Sequence, residues 1–191
     1  MKVKPEIVFR TPWFEIGAVA PGAEPSGTTE PYYCLLRSSG VLAFVLDREA
    51  RVVLVEQYRP PLGRTTLEMP AGTIEADETP NQTVAREVAE ETGLVCERWF
   101  QISPFRMMLN REDVLDYFYV GLGAHKPGNA ERVEKGTVRL FGRAEFLDMV
   151  TSGRFEQTVA LAGVYLAEKI YGVDLLTMSL DRIASRLETG R

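Results

Sequence analysis

Apolar residues recur along this chain with two different periods, and the change falls after residue 141. VLAFVL (41–46) and RVVLVEQY (51–58) are almost unbroken apolar and β-branched runs, and the polar link DREA between them predicts a hairpin. TTLEMP (65–70) predicts a short strand before Gly72, LVCERWFQI (94–102) and VLDYFYVGL (114–122) two longer ones, and VRLF (138–141) another short one. Beyond them AEFLDMV, TVALAGVYLAEKIY and DLLTMSLDRIASRL space their apolar residues by three and four, which predicts helices, the last over 174–188. One further helix, 79–92, stands among the strands. Strands with helices on more than one side imply a layered α/β domain. VAPGAEPSGTTEPYY (19–33) is rich in turn formers and reads as a loop or wide hairpin connection. It divides a small N-terminal β element, within residues 1–38, from a main domain over 39–191.

The helix at 79–92 can be read residue by residue. Thr79 caps it, Pro80 takes the first helical position, Gln82 completes a capping box, and Gly93 supplies the left-handed stop. Val84, Ala85, Val88 and Ala89 form its apolar side. Glu87, Glu90 and Glu91 remain together on about one quadrant of the surface, with only Arg86 beside them in sequence. The Glu87/Glu91 pair, at i, i+4, costs roughly 0.2–0.5 kcal/mol, and acids in the C-terminal half of a helix also oppose its dipole. Local stability therefore does not account for them. Two explanations stay open: a solvated acidic face, or a site where divalent cations supply the missing positive charge through hard oxygen ligands.

Bulk properties narrow the chemistry. The 191 residues are 45% hydrophobic and 26% charged, enough for one domain with a substantial core. A net charge of −5 and a pI near 5.1 argue against a broad grip on nucleic acid. Cys34 and Cys96 have neither zinc-ligand spacing nor the density of a disulfide scaffold, which suits a reducing cytoplasm. MKVKPEIVFR has no signal-peptide character, and no apolar run approaches the length of a membrane span. His125, the sole histidine, rules out a histidine-based zinc site and reads as an exposed loop residue in GAHKPGN.

The residues ahead of the helix decide between the two explanations. From Gly72 the chain runs Gly, five residues, Glu78, seven residues, Arg86-Glu87-Val88-x-Glu90-Glu91-x-Gly93-Leu94. These positions match the signature of the Nudix hydrolase family, which this chain closely resembles; at ordinary residue frequencies so many fixed identities do not meet by accident. The resemblance implies a Nudix-type α/β/α sandwich with a mixed β-sheet, here with the small N-terminal β element and C-terminal helices added. It implies Mg²⁺, with Mn²⁺ as a substitute, held by Glu87 and Glu91, assisted by Glu90 and the Ala71 carbonyl. Glu78 and Arg86 are expected to pair and fix loop to helix.

VEQYRPP and LEMPAGTIE resemble the subgroup that hydrolyses ADP-ribose and other nucleoside diphosphate sugars, and a looser similarity extends over 40–122. By that resemblance Arg59 contacts phosphate, with Arg64, Arg106 and Arg111 as further candidates. The catalytic base of such relatives lies on a loop beyond the signature, so SPFRMMLNREDVLD (103–116) offers Glu112, then Asp113 and Asp116, with Glu90 as the alternative from the helix. The loop departs from the subgroup, having Ser103-Pro104-Phe105 where Ser-Pro-Gly is usual. The N-terminal element is expected to build a homodimer, with Trp13 and Phe14 packed in its interface or stacked on a base. The implied partner is a small nucleoside diphosphate sugar, with no nucleic acid and no membrane. Rival readings are the same fold acting on GDP-mannose, a dinucleoside polyphosphate or a nucleoside triphosphate, and a sensor that binds nucleotide without cleaving it.

Overall fold

A computed structural model of the chain describes residues 4–21, 29–128 and 137–190. Strands β1 (Glu6–Arg10), β2 (Glu15–Val19) and β3 (Tyr32–Leu36) form an antiparallel sheet in that order. The main sheet contains β4 (Gly40–Asp47), β5 (Val52–Arg59), β6 (Arg64–Glu68), β7 (Ala71–Thr73), β8 (Arg98–Phe105), β9 (Asp116–Ala124) and β10 (Thr137–Phe141). Its order is β10-β5-β4-β9-β8, with β6 on β5 and β7 on β4. The β4/β9 pair is parallel and the others are antiparallel, so the sheet is mixed.

The alternation of β4 explains the layers. Val41, Ala43 and Val45 join a core with Val84 and Val88 of helix α1 (Pro80–Thr92), whereas Leu42, Phe44 and Leu46 join a larger one on the opposite face. That second core is closed by α2 (Arg143–Thr151), α3 (Thr158–Tyr171) and α4 (Leu180–Thr189) through Phe146, Val164 and Ile183. The result is the expected α/β/α sandwich. Among the described residues, no helix is long and apolar enough to cross a membrane.

The tightest junction of the larger core is Gly163 on α3, where an added Cβ would lie 2.3 Å from the ring of Phe118, a fully buried side chain. Gly163→Ala should therefore lower unfolding free energy by about 1–3 kcal/mol, as overpacking does where neighbours cannot yield; a denaturant midpoint equal to that of the native chain would contradict this packing.

Several elements differ from the sequence-based expectation. The connection read over 19–33 ends early: its tail becomes β3, whose five residues all pair with β2. Residues 22–28 of that connection lie outside the described residues. The strand expected over 94–102 begins at Arg98, while Val95 forms an isolated bridge with His125, which makes this histidine half-buried. The last helix starts at Leu180 because Asp174 accepts the amides of Leu176 and Thr177 at 2.9 and 3.0 Å, diverting the backbone into a turn despite continued apolar spacing.

Candidate active site

The caps of α1 form as its sequence predicts. Thr79 and Gln82 exchange both bonds of the capping box, and Gly93 closes the helix at φ 67° with its amide 2.8 Å from the Ala89 carbonyl. With its Val84/Val88 side buried, α1 presents its acids to β7. There Gly72 is a close-approach residue: a Cβ at that position would lie 1.9 Å from Cδ of Glu87. The Ala71 amide donates to Glu91 at 3.1 Å.

Arg86 ties the cluster together. Its Nε and Nη2 donate to the two oxygens of Glu78 at 2.7 and 2.9 Å, and Nη1 reaches Glu87 at 2.9 Å and Glu90 at 3.0 Å. Nη2 also donates to the Thr73 carbonyl at 3.3 Å, so one guanidinium joins the loop, β7 and the helix. Arg86, and next the Thr83 hydroxyl, hold the Glu78 carboxyl down at about 2. Glu91 moves the other way: burial foremost, with Glu87 adding repulsion, raises it to about 7 against the opposing Ala71 amide and Arg59.

The three acids of α1 border a cleft of about 540 Å³ whose wall includes Trp13, Ser38, Arg59, Ala71, Gly72, Glu75, Glu87, Glu90 and Glu91. Among the described residues no three acidic, histidine or cysteine side chains already converge on one point. Glu87 and Glu90 turn to Arg86, and Glu91 turns to Ala71. The donor set nevertheless fits a hard divalent cation: it is all oxygen, it sits mostly on one rigid helix, and the raised Glu91 marks a deficit of positive charge.

Two expectations follow from this geometry. Because the folded state holds the Glu91 proton more tightly than the unfolded chain, the stability this provides is complete below about pH 4.5 and is lost as pH rises through about 7. In chelator, Glu91→Gln should therefore gain on the native chain by on the order of 2 kcal/mol between pH 5 and 8; parallel denaturation curves would contradict the shift. Gly72→Ala overlaps the Glu87 side chain from Cγ outward and no backbone atom among its nearest neighbours, so its cost to folding should be small. Mn²⁺ binding, followed by paramagnetic resonance, should weaken about tenfold or more as that carboxylate is pushed aside; unchanged binding would separate Glu87 from the cation.

The other candidates from the sequence divide sharply. Arg59 lines the cleft and pairs with Glu68, its Nε at 2.7 Å from the carboxylate. Arg64 pairs with Glu156 and Arg106 lies 3.5 Å from Asp113. Arg111 donates to the Tyr33 carbonyl at 3.1 Å and stacks over Tyr32 at 4.9 Å. None of these three borders the cleft. Glu112 and Asp116 do not line it either; they sit in a buried network where Arg37 donates to Glu112 at 2.8 and 2.9 Å and to Asp116 at 2.9 and 2.7 Å.

Arg37 and Glu68 escaped the sequence reading. LLRSSG around Arg37 has no periodic or motif signal. Glu68 was detectable in principle, since hairpin parity puts Arg59 and Glu68 on one face once Arg59 is opposite Arg64 and Val55 opposite Glu68. Trp13, expected either in an interface or against a base, is 82% exposed and stands on the cleft wall.

Comparison with known proteins places this geometry in a family. The NUDIX domain profile matches residues 36–158. A methanol dehydrogenase activator of Bacillus methanolicus is 32% identical over 145 residues, covering 76% of this chain and 71% of that protein. The ADP-ribose pyrophosphatase of Mycobacterium tuberculosis is 31% identical over 130 residues (65% of this chain, 63% of that one), and its Bacillus subtilis namesake is 33% identical over 81 (42% and 44%). The chain thus spans less than two thirds of either pyrophosphatase. In fold it resembles the crystal structure of an ADP compounds hydrolase, with a TM-score of 0.71 over 87% of this chain and 91% of that one at 16% identity. A matched domain over residues 36–158, with Glu87, Glu90 and Glu91 of the signature helix on one cleft wall, makes this chain a member of the Nudix hydrolase family.

Proposed function

We propose that the protein hydrolyses the pyrophosphate bond of a nucleoside diphosphate sugar, ADP-ribose foremost, to a nucleoside monophosphate and a sugar phosphate, with Mg²⁺ or, in its place, Mn²⁺. The observation that carries this reading is that Arg59 and the three signature carboxylates share one cleft wall with Ala71. Glu87, Glu91 and the Ala71 carbonyl would hold the cation, Glu90 would assist, and the Arg86/Glu78 pair would keep helix and loop in register. When bound, divalent ions neutralise the diphosphate, position water and lower its pKa. Arg59 offers a planar charged donor to a phosphate oxygen. A water oxygen then bonds to phosphorus as the bridging P–O bond breaks, and the water's proton passes to a carboxylate. Glu90, with its side chain 47% exposed on the cleft wall, serves as that base and gives up one bond, from Arg86 Nη1 at 3.0 Å. Glu112 would first have to leave Arg37.

The test is a panel of ADP-ribose, GDP-mannose, dinucleoside polyphosphates and nucleoside triphosphates with product analysis. Release of AMP and ribose phosphate from ADP-ribose at the highest kcat/KM is expected; turnover of triphosphates alone would overturn the sugar reading, and tight ADP-ribose binding without turnover would favour a sensor.

The proposal extends to residues 1–38 as a dimerising unit, in a cytoplasmic homodimer. Support comes from Ile7, Val8, Phe9, Phe14 and Tyr33, all exposed on the small sheet and its hairpin. Sedimentation should give twice the chain mass, and a monomer at micromolar concentration would contradict it.

A further inference from the structure

Arg59 stands between two acids. Glu68 accepts from both its Nε and Nη2, the first at 2.7 Å, and Glu91 lies near enough on the cleft side to act on it electrostatically. A guanidinium so close to the cation-binding acids has an alternative to binding substrate: it can collapse onto them and take the place of the cation. Glu68 occupies the Nε and Nη2 edge of Arg59. Its carboxylate is further held by the Thr66 hydroxyl at 2.6 Å and by the Gln57 amide at 3.5 Å, and its side chain is only 15% exposed. It is absent from the cleft wall, whereas Arg59 is part of it. Burial opposes the charge on Glu68, yet Arg59 and Thr66 together keep the carboxyl below its ordinary value. The side-on pair leaves Nη1 of Arg59 without a hydrogen bond among the described residues.

We propose that Glu68 is a positioning residue that holds Arg59 off the cation-binding carboxylates and presents its remaining edge to a substrate phosphate; this rests on the reading of Arg59 as a phosphate contact. A carboxylate is required because a neutral amide offers one acceptor oxygen where the carboxylate offers two, and leaves the arginine charge uncompensated beside Glu91. Glu68 therefore governs two properties at once, cation affinity and substrate affinity, without touching either ligand.

The test uses the full chain with Glu68→Gln, Arg59→Ala and the double variant. Mn²⁺ binding without substrate is read by paramagnetic resonance, and KM and kcat are measured with ADP-ribose. Glu68→Gln should weaken Mn²⁺ binding roughly tenfold and raise KM by a similar factor. Arg59→Ala should raise KM without weakening Mn²⁺ binding, and the double variant should recover native Mn²⁺ affinity because the competing charge has gone. Native behaviour of Glu68→Gln, or a double variant that still binds Mn²⁺ weakly, overturns the positioning role. An unchanged KM in Arg59→Ala instead removes the phosphate contact on which the proposed function draws, so the two failures are distinguishable. Should Glu68→Gln not fold, Glu68→Asp keeps the charge with a shorter reach: KM is then expected to rise while Mn²⁺ affinity holds, and no change in either overturns the proposal.

Discussion

Glu91→Gln is expected to lower kcat by on the order of a hundredfold or more while the chain stays folded, the loss anticipated for removing a metal ligand or its orientation. Several observations set the size and sign of this effect. Glu91 is half-buried, its carboxylate is fixed by the Ala71 amide at 3.1 Å, and burial with Glu87 makes its negative charge unfavourable unless a cation arrives. The amide oxygen of glutamine can still accept from Ala71, so the β7/α1 contact survives while the charge does not. The helix keeps its caps and its Val84/Val88 anchor, and the fold has no reason to fail. Steady-state kinetics at saturating Mg²⁺, beside an unfolding curve, separate the two properties. Native turnover would remove Glu91 from the site.

Arg37→Ala carries the largest expected cost to stability, about 3–5 kcal/mol, because it strands two buried carboxylates. The side chain of Glu112 is 0% exposed and that of Asp116 is 3%, and Arg37 supplies paired donors to both. Asp116 retains the Gly40 amide at 2.7 Å, but Glu112 loses a two-point partner. A loss of this size is a large share of an ordinary domain's stability. The same network pins the 106–115 segment to the start of β4, whose Val41 and Leu42 lie opposite Gly72 and Ala71 of the cleft wall. Urea denaturation at neutral pH is the check, and a loss under 1 kcal/mol would show that the network is dispensable.

What could be read in advance, and what could not, follows from the range of the interactions. The caps of α1 and the alternation within β4 depend on residues within a few positions of each other, so their chemistry is explicit in the chain. The Arg86/Glu78 pair bridges only eight residues and came with the family resemblance. Arg37 and Glu112 are 75 positions apart, and no local pattern announces that a loop carboxylate will be buried against a distant arginine. Arg64 and Arg111 shared the composition expected of phosphate ligands, yet their partners, Glu156 and Tyr33, are likewise remote. At the start of α4 apolar spacing continued through 174–179, and the side chain of Asp174 overrode it by taking two backbone amides. β3 was obscured by the turn formers just before it, although Tyr32 to Leu36 are themselves good strand residues.

The proposed function requires the acids of α1 to act as charge partners for a divalent cation. Mn²⁺ titration of the protein with ADP-ribose present, followed by paramagnetic resonance, is the decisive measurement. Depletion of the free-ion signal in the native chain, abolished in the Glu87→Gln/Glu91→Gln double variant, is the predicted result; free Mn²⁺ that ignores the native protein, or that is bound equally by the double variant, would contradict it.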